Sequence, residues 1–315
     1  MSSDSVTIRL PETKQKHNYR KYISIYMLLI PGLLYFIIFR YLPMAGLIMA
    51  FKDISLAQGI AGVFTEPFVG LRHFERFFNS PFAGRIIFNT LYISFGHLIF
   101  GFPAPIILAI LLSELRNRRV QRVIQTVSYL PHFISWVVAA GIITSLLTIN
   151  GGLFAEIAKL LGREPPLIIG NADHFVKLLI TSNLWKTVGF GSIIYLAAIT
   201  SIDTELYEAA RIDGANRIQM IFSITLPSIS FIAAMMFILQ FATILDAGFE
   251  QILLLYSEPT RIVGDVIDTY VYRVGLQQME YSFATAVGLF KSVIALFMVL
   301  IVNTVVKKFG YASIW

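Results

Sequence analysis

The sequence predicts an all-α integral membrane protein of six transmembrane helices with both termini cytoplasmic. Three observations carry that prediction. The 315-residue chain is 56% hydrophobic and only 14% charged, with a mean hydropathy of +0.71. Soluble domains carry about 25% charged residues, so a chain this apolar belongs in lipid. Six apolar runs each have enough residues to cross a core of about 30 Å at about 1.5 Å per residue. Lys and Arg crowd into alternate connections between those runs. Cysteine is absent, which excludes disulfides, thiolate nucleophiles and cysteine metal sites. The formal charge of +6 does not argue for nucleic acid, because the basic residues flank apolar runs, where they set topology.

Residues 1–21 form a basic cytoplasmic segment with Lys14, Lys16, Arg20 and Lys21 ahead of the first span, 22–39. That span is too long for a signal-peptide core and lacks a small-residue cleavage site. Pro31 bends it, which membrane helices tolerate when neighbours satisfy the freed carbonyl. Within residues 40–85, Leu71, Phe74, Phe77 and Phe78 alternate with Arg72, Glu75 and Arg76 at helical spacing. Two placements fit: a helix lying at the membrane interface, or one packed on the outer end of the domain. The second span, 86–112, contains Pro103 and Pro105, and Arg116, Arg118, Arg119 and Arg122 follow it. The third, 123–149, stops at Gly151-Gly152, and 150–176 reads as a polar loop carrying Pro165-Pro166. The fourth span is 178–202 and the fifth 226–245, opened by Pro227, with a charged loop at 203–227 between them. Residues 246–282 alternate charged and apolar character, as a partly re-entrant or surface segment would. The sixth span, 283–306, is closed by Lys307-Lys308, and 307–315 form a cytoplasmic tail. Together 22–306 make one membrane domain.

With a cytoplasmic N-terminus, the inner connections hold 13 Lys and Arg in about 60 residues and the outer ones 10 in about 110. The 203–227 loop then faces the cytoplasm. Its Ala209, Ala210, Gly214 and Ala215 permit close approach of another chain, and its acids Glu208 and Asp213 suit arginines of a partner. An ordinary connection between two spans fits the same residues.

The spacing narrows this. Glu208-Ala209-Ala210, then Gly214, then Ile224-x-Leu226-Pro227 resembles the EAA loop of permease subunits in binding-protein-dependent ABC importers. The resemblance extends over nearly the whole chain, through Tyr41-Leu42-Pro43-Met44, Asn89-Thr90-Leu91, Leu130-Pro131-His132-Phe133-Ile134-Ser135-Trp136, Trp185-Lys186, Gly288-Leu289-Phe290-Lys291-Ser292 and the final Trp315. These resemble the polysaccharide and oligosaccharide subgroup, which includes alginate importers. The resemblance implies a type I importer permease fold in the bacterial cytoplasmic (inner) membrane. It also implies a second homologous permease subunit, two ATPase subunits carrying ATP and Mg, an extracytoplasmic sugar-binding protein and an oligosaccharide substrate. The ATPases would be met by Glu208, Ala209, Ala210, Asp213 and Gly214, with Ile224, Leu226 and Pro227 completing the coupling motif.

The chain has no G-x-x-x-x-G-K-[ST] and no Gly-Lys pair, so this loop binds no nucleotide here. Its histidines, His17, His73, His97, His132 and His174, lack ligand spacing, and neither catalysis nor a metal is expected. Lys186 and Lys291 fall inside spans, where a charge must face a wet cavity or find a partner. With Asn183, Trp185, Gln240 and Asp246 they form a candidate substrate path, or polar glue between helices. The two lysines would suit an acidic sugar. A secondary transporter or channel, and an ABC permease for a non-sugar substrate, are the competing readings. The former needs a deep ion-coupling acid, for which Asp246 is the candidate.

Overall fold

The computed structural model describes residues 23–54 and 62–308. The basic 1–21 segment and most of the 307–315 tail, with Trp315, lie outside the described residues. The chain divides between Ile48 and Met49 into two units, each described by itself.

The first unit is built on α1 (Ile23–Phe36). Helical structure continues in this unit through Ile37–Tyr41 and Leu42–Met44, past the expected end at residue 39. A π-turn, Ile37–Tyr41, precedes Pro43, which stands in the first turn of the next segment. The π-turn before it accommodates the missing proline N–H, so the run continues. Its large side chains, Leu28, Phe36 and Phe39 among them, are exposed, as suits a helix surrounded by lipid.

The second unit is all helical; among its described residues the one sheet-like contact is an isolated bridge between Lys52 and Phe68. Helix α2 (Arg72–Phe78) buries His73 and Phe77. Phe77 packs among Ile86, Ile267, Phe283 and Val287, so this helix is packed on its neighbours rather than laid out for lipid. Helices α3 (Ala83–Gly101) and α4 (Pro103–Ser113) together make one 31-residue crossing. Pro103 again occupies an N-terminal position, which lets α4 follow α3 with little loss.

The expected third span, 123–149, is broken. Helices α5 (Arg118–Phe133) and α6 (Trp136–Leu147) meet at 108°. Pro131 weakens the last turn of α5, Ile134 is extended, and the Ser135 side chain caps α6 by accepting from the Val138 N–H. Ala139 and Ala140 are buried, and Ala140 packs with Ile93, Phe175, Leu179 and Ile252. The expected polar loop after this span contains α7 (Leu153–Leu160).

The 29-residue α8 (Ala172–Thr200) runs through the centre of the unit, packing against α3, α4 and α5. At a 69° bend it passes into α9 (Thr204–Ile212). A short helix, Arg217–Met220, and a π-turn, Ile221–Thr225, lead into α10 (Leu226–Ala242). The 246–282 segment holds α11 (Phe249–Leu255) and α12 (Ile267–Tyr272). It is fastened to α3: Asn89 donates to the carbonyls of Ile262 (3.0 Å) and Asp265 (3.1 Å), and Thr90 Oγ1 accepts from the Ile267 N–H. Helix α13 (Tyr281–Lys308) completes the unit. By length and apolarity four helical runs can cross a membrane, and the two bent pairs raise the number to as many as six.

Candidate functional site

Two places combine chemistry with access. The first is α9. Asp203 caps its start by accepting from the Glu205 N–H (2.9 Å). Its end is closed by Gly214 at φ +80°, with Ala215 N–H donating to Ala210 O (2.9 Å) and Gly214 N–H to Arg211 O (3.1 Å). That left-handed closure favours a residue without Cβ, which is the physical reason for glycine here. Asn216 and Gln219 then form a reciprocal capping box for the next short helix.

No residue of α9 is buried. Glu208, Ala209, Asp213 and Gly214 are exposed, Ala210 is half-buried, and Ile212 is 87% exposed. Leu206, Ile218 and Phe222 add exposed apolar surface. Two braces hold this projecting helix: the Tyr207 hydroxyl bonds Thr225 Oγ1 (2.9 Å), and Arg217 pairs with Glu114 at the end of α4. Ile224 and Leu226 are half-buried, and Leu226 packs with the α4–α8–α10 core, while Pro227 stands in the first turn of α10. The expected coupling residues therefore separate into an exposed face, 208–214, and a root, 224–227, that anchors it. A capped, braced helix with mixed acidic and apolar exposure suits docking to another protein.

The second place is a cavity of about 450 Å³ walled by α3, α4, α8, α10 and the turn after α10. Asn183, Gln240 and Asp246 line it, as the intramembrane polar residues suggested, and Ser94, His97 and Thr187 join them. Ser94 is 2% exposed, and neither its Oγ nor His97 Nε2 has a hydrogen-bond partner. Both stand on one face of α3 at i, i+3 spacing.

The other expected path residues are not in this lining. Trp185 is half-exposed elsewhere on α8. Lys186 is 8% exposed, and its ammonium donates to the carbonyls of Pro131 (3.3 Å), His132 (3.0 Å) and Ile134 (2.5 Å). It also lies 5.5 Å from the Trp136 ring centroid. Lys186 thus satisfies the carbonyls freed by the α5–α6 break, and His132 stacks on Phe190 beside it, with centroids 3.9 Å apart. Lys291 bonds Asp246 Oδ1 (2.8 Å) and both oxygens of Asp268 (2.8 and 2.7 Å). Burial raises the Asp268 carboxyl from its usual range, and the Lys291 hydrogen bond pulls it back. Among the described residues no group of three or more His, Asp or Glu is arranged for a metal ion.

Residues 101–311 match the model of the family described as binding-protein-dependent transport system inner membrane component. The chain is 40% identical over 296 residues, 94% of its length and 91% of the relative's, to the polygalacturonan/rhamnogalacturonan transport system permease protein YteP of Bacillus subtilis (strain 168). It is 42% identical over 291 residues, 92% of its length and 91% of the relative's, to protein LplB of the same organism. In structure it resembles a chain of a bacterial ABC transporter involved in import of the acidic polysaccharide alginate. That match has TM-score 0.86 and 40% identity, covering 92% of this chain and 97% of the other.

Proposed function

The chain belongs to the family of binding-protein-dependent transport system inner membrane components, and from that premise we propose that it is the permease subunit of an ATP-driven oligosaccharide importer. It is a multi-pass inner-membrane transport component rather than an enzyme. The reading of the loop rests on one observation: α9 is capped at both ends, braced at Tyr207 and Arg217, and buries nothing. A helix this exposed and this firmly held is suited to receiving force. Its acids Glu208 and Asp213 would meet basic groups on an ATPase subunit. Ala209, Ala210 and Gly214 would let that surface approach closely. In this reading both termini and α9 face the cytoplasm, and two ATPase subunits hold ATP and Mg. A second permease completes the path, and a sugar-loaded binding protein docks outside.

Closure of the ATPases would move α9, and the Tyr207–Thr225 bond would pass that motion to the root of α10, whose far end reaches Gln240 in the cavity wall. Rocking of packed helices around a central cavity is then sufficient for alternating access. The substrate class is carried over from relatives named for transport of polygalacturonan/rhamnogalacturonan and of arabinooligosaccharides, and from the alginate importer. The test is co-purification with the ATPase subunit. Glu208→Lys should reduce recovery of the ATPase at least about tenfold, as expected for reversing one charge in a desolvated ion pair. Equal recovery would refute the docking role of α9.

A further inference from the structure

The cavity wall has a sign. Asp246 is its single Asp, Glu, Lys or Arg among the described lining residues. Its side chain is 65% exposed, and only Oδ1 is engaged, by Lys291. Lys291 is itself 14% exposed, absent from the lining, and held from behind by both oxygens of Asp268. One ammonium between two carboxylates leaves a net charge of −1, and the exposed member is the acid. Lys186, the other intramembrane cation, is turned onto backbone carbonyls. Elsewhere the lining offers neutral hydrogen-bonding groups, the amides of Asn183 and Gln240 and the Thr187 hydroxyl, with the unpartnered Ser94 Oγ and His97 Nε2 enclosed behind the surface.

We infer that this cavity receives an uncharged, hydroxyl-bearing part of the saccharide, with Asp246 as the specificity-determining residue that accepts hydroxyls and turns carboxylates away. The inference rests on the importer reading above. A free carboxylate oxygen accepts from a sugar hydroxyl in a charge-assisted bond. The same oxygen repels a uronate across a few ångströms. Buried hydroxyl, amide and imidazole groups with unused capacity favour a ligand that donates and accepts at several points. If the transported chain is acidic, its carboxylates must then be met by the other half of the path.

The test uses the assembled importer, with its ATPase, binding protein and second permease, in proteoliposomes. Uptake is compared for matched neutral and uronate oligosaccharides, beginning with galactan and galacturonate tetramers. Selectivity of the binding protein cancels when each variant is compared with the unaltered complex. Asp246→Asn should lower the ratio of KM for uronate to KM for neutral sugar about tenfold, the size of one charged hydrogen bond. Asp268→Asn removes the same unit charge from behind the wall without altering the lining, and carries the test if Asp246→Asn does not assemble. It should shift the ratio in the same direction by a smaller factor. An unchanged ratio in both variants, or equal loss for both sugars, overturns the charge assignment while leaving the importer intact. An unaltered complex that moves no saccharide of either kind refutes the importer reading instead.

Discussion

Replacing Lys186 by Met should weaken the bend between α5 and α6 more than it weakens anything at the cavity. The side chain is 8% exposed and donates to three carbonyls that the broken helix leaves free. Bonds to a charged donor contribute about 1.5–3 kcal/mol each, and the three share one ammonium. Against that stands the cost of keeping the ammonium out of water, which is several kcal/mol. Methionine removes both, but leaves the Pro131, His132 and Ile134 carbonyls without the donor they shared. The remaining deficit is about 3 kcal/mol, from three orphaned carbonyls at about 1 kcal/mol each once water enters. Thermal unfolding in detergent should show a loss of several degrees in Tm. Spin labels on the exposed positions Val123 of α5 and Ile142 of α6 should report a broadened distance distribution. An unchanged Tm with an unchanged distance distribution would show that Pro131 and Ser135 make the bend unaided.

Three further outcomes are expected. A Cβ at Gly189 would overlap the Ser128 carbonyl, so Gly189→Ala should push α8 from α5 and cost at least the upper part of the usual range of about 1–3 kcal/mol, read as lowered Tm and reduced assembly. Arg273→Met strips a bidentate partner from Asp265, whose side chain is 4% exposed but keeps Thr269. The loss should be about 3 kcal/mol, and Asp265→Asn in the same chain should recover part of it in a double-mutant cycle. Tyr207→Phe removes the one hydroxyl bond joining α9 to the π-turn below α10. Transport should fall while ATPase activity persists, and a proportional fall in both would contradict a transmitting role for that bond.

The apolar runs were legible because hydropathy is a property of composition over a window; in the structure they make four helices of crossing length, or up to six with the bent pairs. The 108° break was not: Gln125, Thr126, Ser128 and His132 set 123–133 apart from the apolar 136–147, but a window spanning both still averages to one run. Pro131 and Ser135 are its local signals, and neither stops a helix by itself. Lys186 illustrates the consequence. A lysine inside a span must find partners, yet backbone carbonyls become candidates only once the break is known. The 203–227 loop was read as a short helix from its acids and small residues, and the structure supplies the local reasons: a cap at Asp203, glycine where φ is positive, and proline at the next helix start. Asn183, Gln240 and Asp246 announced themselves as polar residues among apolar ones. Ser94 and His97 did not, because α3 shows too little asymmetry around its circumference to say which face turns inward. The segment 246–282 was read as surface or re-entrant, and its attachment through Asn89 and Thr90 depends on residues more than 170 positions away.

Absence of cysteine makes site-directed crosslinking the most direct measurement. A single cysteine at Ala209 or Gly214, in the assembled complex, should form a crosslink to a nucleotide-hydrolysing subunit, with an efficiency that changes between ATP-bound and nucleotide-free states. Capture of no such subunit, or modification of Ala209→Cys by a membrane-impermeant thiol reagent added from outside, would contradict force entering the chain through α9.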